Sequence, residues 1–381
     1  MPDLGYSEDE KMVQDLMSKF AREELRTIAE AADTNEAAPE EVLAKGQTDL
    51  ALAIMSIPES RGGAWEGNPQ DVQHVVRTEE LSYGCPALAL SLPGLGLTGP
   101  ALISIATEEQ AAPLLEPFCG ESPAWAALAL TEGDAGANFE LMETTCEGSG
   151  ESWKVTGTKG PVVNASRSGG FVVIAKASDG PRVLWVDKEA AGVEVKEAKW
   201  TGLRAADMGH VVFNGAEGKL LGEDDAEKQA AAAQQILDHA RLTVSAAMIG
   251  AARAALNESV EFSKTRVQFG EPVGQKQGLA FMMAEMAMTL EAAWQHVLAV
   301  ASRAEKGKSI TIQAASAHAH TCEVTHTVTE RGVQVHGGYG FTREYPVEKW
   351  MRDVRVLSLL AGGLSESLQA AAAEIEPKKK K

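Results

Sequence analysis

The hydrophobic pattern of this chain changes character twice along its length. Ser7 followed by Glu10 has the form of a capping box, and Met12, Val13, Leu16, Met17 and Phe20 then recur at helical spacing, which predicts an amphipathic first helix. Helical periodicity continues to about residue 120, interrupted at Pro58, Gly62, Gly63, Gly67 and Pro69. Within it, residues 87–105 form an apolar, glycine-bearing stretch that should be buried. From Pro123 the pattern turns to short strand-type runs over 124–130, 153–158, 171–175, 183–186 and 211–213, separated by Gly and Asp turns. The gaps between runs are too short for crossover helices, so an antiparallel sheet is expected. Beyond Asp224 the chain lacks proline until Pro272, and apolar residues recur at helical spacing through 226–264 and 277–305. Further helices are expected over 309–335 and 346–375. The predicted class is α+β: a helical domain over 1–122, a β-domain over 123–224 and a helical bundle over 225–381.

Composition narrows the function classes. A formal charge of −19 makes a surface that repels phosphate backbones and anionic lipid, so nucleic-acid or membrane-surface binding is disfavoured as the main role. The four lysines at 378–381 follow Pro377, which should end the last helix, and read as a solvated tail. The Met-Pro-Asp-Leu-Gly start has no basic region ahead of an apolar run, and no stretch is apolar enough to span a bilayer. A cytoplasmic protein is expected. Cys85, Cys119, Cys146 and Cys322 are widely spaced without a Cys-x-x-Cys pair, as in a reducing compartment.

Two decoys can be set aside. His318, Cys322 and His326 share one predicted helix face, but the outer pair stands about 12 Å apart along the axis, too far for one ion. No metal site is expected. Gly337-Gly338-Tyr339-Gly340 loosely resembles a dinucleotide loop but follows no strand of a βαβ unit.

Four motifs, in order over nearly the whole chain, resemble the acyl-CoA dehydrogenase family. A-L-T-E-G-D-A-G-A-N at 129–138 resembles its T-E-P-x-A-G-S-D loop, and W-K-V-T-G-T-K-G-P-V-V-N at 153–164 its G-x-K-x-x-I-T-N turn. Gly202-Leu203-Arg204 follows as expected. Arg266-Val267-Gln268-Phe269-Gly270 with Gln277 looks like R-x-x-F-G, and 334–355, beginning Q-V-H-G-G-Y-G-F, is close to the C-terminal signature. The resemblance implies a helical domain, a middle antiparallel β-domain and a C-terminal four-helix bundle, in oligomers that hold FAD between subunits. It also implies chemistry: a carboxylate removes the α-proton of an acyl-CoA while hydride leaves for the flavin, with electrons passed on to an electron-transfer flavoprotein.

Matched onto that family, both usual positions of the base are empty. Counting from Arg352-Asp353 puts Ala361 where most members have Glu, and matching Arg241 puts Ala240 at the alternative position. A methyl group accepts no proton, and a positioned base is worth about a hundredfold to ten-thousandfold in rate. Glu366 and Asp238 are the nearest acids, but on continuous helices both project about 140° or more from the base direction.

The flavin contacts that the resemblance implies divide into two sets. On the ring side Thr131 is kept, but the usual Ser falls on Ala137, the aromatic on Pro161 and the Thr on Val163, which cannot hydrogen-bond the flavin. The set that serves a neighbouring subunit survives: Arg266 for the pyrophosphate, Phe269 and Gln277 beside it, and Gln334, Gly337 and Gly338 toward the adenosine. Three functions fit. The chain is the base-less subunit of a hetero-oligomeric acyl-CoA dehydrogenase; or a self-sufficient FAD enzyme on acyl-CoA, homo-oligomeric, with a relocated base or non-oxidising chemistry; or a non-catalytic structural paralogue. The residues do not specify the acyl group.

Overall fold

The structure, a computed structural model, describes residues 6–66 and 71–373. The features read at the first five residues, at Gly67 and Pro69, and at Pro377 with the lysine tail lie outside the described residues. Helix α1 (Glu8–Phe20) starts on the expected capping box: Ser7 Oγ accepts from the Glu10 N–H, and Glu10 Oε2 accepts from the Ser7 N–H at 2.6 Å. It buries Met17 and Phe20. Then come α2 (Ala29–Asn35), α3 (Glu40–Thr48), α4 (Asp71–Gly84), α5 (Pro86–Ser91) and α6 (Glu108–Leu115), with one-turn segments between them.

The middle sheet has seven strands: β1 (Ala127–Ala129), β2 (Thr145–Ser149), β3 (Ser152–Val163), β4 (Gly170–Ala177), β5 (Gly180–Asp187), β6 (Val193–Glu197) and β7 (Met208–Leu220). The pairings β4–β2, β2–β3, β3–β7, β7–β5 and β5–β4 close into a ring around a core that includes Val155, Phe171, Val173, Leu184 and Phe213. Two strands went unpredicted. β2 (T-C-E-G-S) and β6 (V-E-V-K-E) are mostly exposed and carry too few apolar residues to register as runs. The sheet is also not wholly antiparallel, since β1 and β2 run parallel to β4. The β2–β3 hairpin lies between β1 and β4 in sequence and does the work of a crossover helix.

Helix α7 (Ala226–Thr265) is about 60 Å long and is the axis of the molecule. Asp225 caps its start by accepting from the Lys228 N–H. Where α7 crosses α4 the backbones touch at Gly250, whose Cβ, if present, would lie 2.2 Å from the Glu79 carbonyl. Arg253 ties the crossing with bonds of 2.5 and 2.7 Å to Glu79 and 2.8 Å to Glu80. A hairpin of β8 (Val267–Gln268) and β9 (Glu271–Pro272) leads to α8 (Gln277–Glu305) and α9 (Thr311–His336), which pack with α7 and α4 around a second core.

The helix expected over 346–375 is two helices, α10 (Val347–Leu357) and α11 (Gly363–Ala372). Ala361, Gly362 and Gly363 have φ of +61°, +93° and +69°, so the chain leaves the right-handed helix and restarts at a new angle. Two glycines make that turn cheap; Ala361 takes a conformation that L-residues seldom adopt. Among the described residues, no helix is long and apolar enough to cross a membrane.

Candidate active site

Ala240 from α7 and Ala361 from the turn between α10 and α11 come together, 1% and 3% exposed, in the wall of one small cavity. Thr131, Pro161, Val163 and Leu128 complete that wall from the sheet side, so the β-domain and the bundle meet at these residues. The cavity has a volume of about 40 Å³, room for a water or two and not for a three-ring heterocycle. Thr131 does not face it with a free donor: its hydroxyl hydrogen bonds to the Pro161 carbonyl at 3.3 Å. Val163 presents only methyl groups.

Glu366 is not where a continuous helix would have placed it. Because the helix breaks at Gly362, Glu366 stands in the first turn of α11 and folds back over the break. One carboxylate oxygen accepts from the Ala137 N–H at 2.9 Å, and the other accepts from Arg241 Nη2 at 3.3 Å. Burial pushes its pKa up, against the lowering effects of the Ala137 N–H and the Arg241 charge. A carboxyl group belonging to the protein thus sits on the backbone N–H of the residue that replaces the usual Ser. Asp238 faces another way, accepting from Gln234 at 2.7 Å and from the Thr311 hydroxyl at 2.7 Å, and burial raises its pKa too.

The cofactor implied by the resemblance is FAD, and on this side the residues present do not fit its ring. Pro161 stands at the usual aromatic position and Val163 at the usual Thr position, the space is that of a water or two, and the Ala137 N–H is already occupied by Glu366.

The second set of predicted residues gathers at one end of the bundle. Arg266 caps α7 and places its guanidinium 5.2 Å from the centre of the Tyr339 ring, which draws the α7 end to the turn after α9. No carboxylate lies within salt-bridge distance of Arg266 among the described residues. Phe269 occupies the tip of the β8–β9 hairpin, 94% exposed and with φ of +55°. A bulky residue held in that region and fully solvated is an unfavourable arrangement for an isolated chain. Gln277 starts α8, and Gln334, Gly337 and Gly338 lie exposed at the end of α9. Phe341, 81% exposed, extends this apolar surface, and Phe281 and Met288 stand 60% and 69% exposed on α8.

A much larger cavity, about 710 Å³, adjoins the small one, sharing Leu90, Gly96 and Leu97. It runs between α4 and α7 and contains a polar group that the motifs did not point to: Asp71, His74, Arg77, Asp238, His239 and Thr243. The signal in the sequence was charge at core-facing positions, His74 and Arg77 one turn apart on α4 and His239 within apolar α7. His239 Nε2 lies 3.1 Å from Asp71 Oδ1 while Nδ1 donates to the Gln235 carbonyl. Burial opposes charge on this imidazole, but the Asp71 carboxylate outweighs it and raises the pKa. His318, the first decoy, lies elsewhere: its Nδ1 meets Ser245 Oγ at 3.0 Å and its Nε2 faces Cys322 Sγ at 3.7 Å, while His326 faces Arg355.

Helical domain, closed sheet and bundle, with the two alanines at their junction, define the acyl-CoA dehydrogenase architecture. Family models agree along the chain: the acyl-CoA dehydrogenase N-terminal domain matches residues 7–122, the middle domain 127–216 and the C-terminal domain 230–374. The caffeyl-CoA reductase-Etf complex subunit CarC of Acetobacterium woodii is 32% identical over 371 residues, covering 94% of this chain and 96% of its own length. The short-chain specific acyl-CoA dehydrogenase of Clostridium acetobutylicum is 30% identical, covering 94% and 96%. Butyryl-CoA dehydrogenase from Megasphaera elsdenii superposes with a TM-score of 0.88 at 26% identity, covering 98% of this chain and 99% of its own. The chain belongs to the acyl-CoA dehydrogenase family.

Proposed function

We propose that this protein is the base-less subunit of a hetero-oligomeric, FAD-dependent acyl-CoA dehydrogenase, and that it serves a flavin held by a partner subunit that carries the catalytic Glu. The observation that carries the reading is the contrast between the two half-sites. On the ring side, Ala361 and Ala240 offer no base, the cavity is about 40 Å³, and Glu366 occupies the Ala137 N–H. At the other end, Arg266 is free of acid partners among the described residues, and Phe269 stands solvated at an unfavourable φ. A surface so shaped supports a reading in which another subunit covers it.

On this reading FAD, when bound, supplies the hydride acceptor. The chain's own part is electrostatic and steric: Arg266 offers a bidentate fork to a pyrophosphate, Gly337 and Gly338 let backbone approach the adenosine, and Phe269 packs over it. Gln277 and Gln334 supply amide hydrogen bonds beside them. Proton abstraction from the acyl-CoA falls to the partner's carboxylate. The name of CarC, a subunit of a complex with an electron-transfer flavoprotein, supports that class of electron acceptor. The domain limits that go with this reading are 1–122, 123–224 and 225–381.

The test is expression of the chain alone and together with Glu-bearing members of its family, followed by affinity purification through a tag on this chain. Joint purification of a Glu-bearing chain, with yellow colour and acyl-CoA oxidation only in the pair, is the expected result. A yellow, active homo-oligomer would show instead that the chain is self-sufficient.

A further inference from the structure

The larger cavity carries a charge arrangement that an ordinary hydrocarbon pocket has no use for. Arg77 lines it from α4, and its one hydrogen-bond partner among the described residues is His74, whose Nδ1 accepts from Nη2 at 3.0 Å. His74 Nε2 is 2.9 Å from Thr243 Oγ1, and that hydroxyl in turn donates to the His239 carbonyl at 2.9 Å. The directions close only one way: Arg77 donates to His74, His74 to Thr243, Thr243 to the backbone of α7. Burial and the neighbouring guanidinium push the His74 pKa down to about 3, so the ring is the neutral link this relay requires. Burial lowers the Arg77 pKa only to about 10, which leaves it charged at neutral pH.

Most of the N–H groups of Arg77 therefore remain for something else. The acids of the same cavity are already engaged, Asp71 by His239 and Asp238 by Thr311 and Gln234. No carboxylate lies within salt-bridge distance of Arg77 among the described residues. The wall holds two more buried donors without partners there, the Ser82 hydroxyl and the Trp65 indole N–H. Lys308 adds a second cation at the rim. A cavity of about 710 Å³, apolar through Leu92, Leu95 and Ile103 and with Arg77 at the α4–α7 end holding most of its N–H groups unused, matches a molecule with an apolar body and an anionic oxygen terminus.

We propose that this end of the cavity is a receptor for a carboxylate carried on an apolar chain, with Arg77 as the binding cation and His74 and Thr243 as its positioning residues. The carboxylate is either the far end of an acyl group bound as its CoA thioester or that of a free carboxylic acid. The first source rests on the acyl-CoA reading above; the receptor itself does not.

The experiment is isothermal titration of the full-length chain, with any partner subunit that purifies with it. One arm uses the CoA monothioesters of hexanedioate, octanedioate and decanedioate against their methyl-ended counterparts; the other uses decanoate against decanol. A carboxylate preference of about tenfold or more in at least one arm is expected, falling toward unity in Arg77→Met and kept in part in Arg77→Lys. Thr243→Val should reduce it without abolishing it. Thermal melts of Arg77→Met with and without decanol separate loss of the cation from loss of the fold. Preference in the thioester arm identifies an acyl terminus; preference for decanoate with no thioester binding keeps the receptor and removes the acyl-CoA reading. Equal affinities in both arms, or a preference that survives in Arg77→Met, overturn the proposal.

Discussion

Replacing Glu366 by Ala tests how the ring side is closed. Arg241, 1% exposed, has Glu366 as the sole hydrogen-bond partner of its guanidinium among the described residues, and its Nε has none. Breaking a buried ion pair by removing one member costs about 3–5 kcal/mol, chiefly because the other charge is left buried and uncompensated. The contact here is a single bond of 3.3 Å, and the Glu366 side chain is 17% exposed, which sets the expectation near the lower limit, about 3 kcal/mol. Glu366→Gln removes the charge but keeps one amide oxygen to accept from either the Ala137 N–H or Arg241, and should cost about 1–2 kcal/mol. Arg241→Met should cost less than Glu366→Ala, since burial already favours the neutral form of Glu366, which can protonate when its partner goes. The double variant Glu366→Ala, Arg241→Met should recover part of the loss, a coupling of about 1–3 kcal/mol. Urea unfolding followed by tryptophan fluorescence measures all four proteins. Glu366→Ala within about 0.5 kcal/mol of the parent, or no worse than Glu366→Gln, would refute the assignment of Glu366 as the counter-charge that seals this site.

Other perturbations follow from the same geometry. Ala361→Glu adds a side chain to a cavity of about 40 Å³ at a residue with φ of +61°. It should destabilise by about 2–4 kcal/mol in urea unfolding and restore no acyl-CoA oxidation to the isolated chain. Phe269→Gly removes the strain at φ of +55° and should stabilise the free chain by about 0.5–1 kcal/mol while weakening partner association by about tenfold, read by thermal melting and by titration of the partner. Burial and the Arg241 charge push the His318 pKa down to about 3, whereas an unfolded His titrates near 6.5. A depressed folded pKa means stability that is present above about pH 6.5 and lost as pH falls toward 3. The stability gap between the parent and His318→Asn should therefore shrink by about 1.4 kcal/mol per pH unit below that point in urea unfolding; a constant gap from about pH 7.5 to 5 would contradict it.

The architecture was legible because it rests on periodicity, which the sequence carries residue by residue: α8 begins at Gln277 and ends at Glu305, where the apolar spacing does. β2 and β6 escaped because an exposed edge has no apolar alternation to read. The two alanines at the base positions could be found by matching motifs, but the position of Glu366 could not. A helical projection assumes one continuous helix, and the left-handed turn at Ala361, Gly362 and Gly363 cancels that assumption. The Ala-Gly-Gly run was the clue, since two adjacent glycines inside a predicted helix favour a break over continuation. The polar relay from Arg77 to Thr243 was out of reach for another reason: its His74–Thr243 bond joins α4 to α7 across 169 residues of chain, and only tertiary packing brings the two together.

A chain that serves a flavin it does not itself enclose is tested directly by the FAD content of the intact assembly in native mass spectrometry. No FAD is expected on the chain purified alone, and one FAD for every two chains in the assembly with a Glu-bearing partner, lost when Arg266 is replaced by Leu. One FAD per chain, in a homo-oligomer or in the mixed assembly, would contradict it.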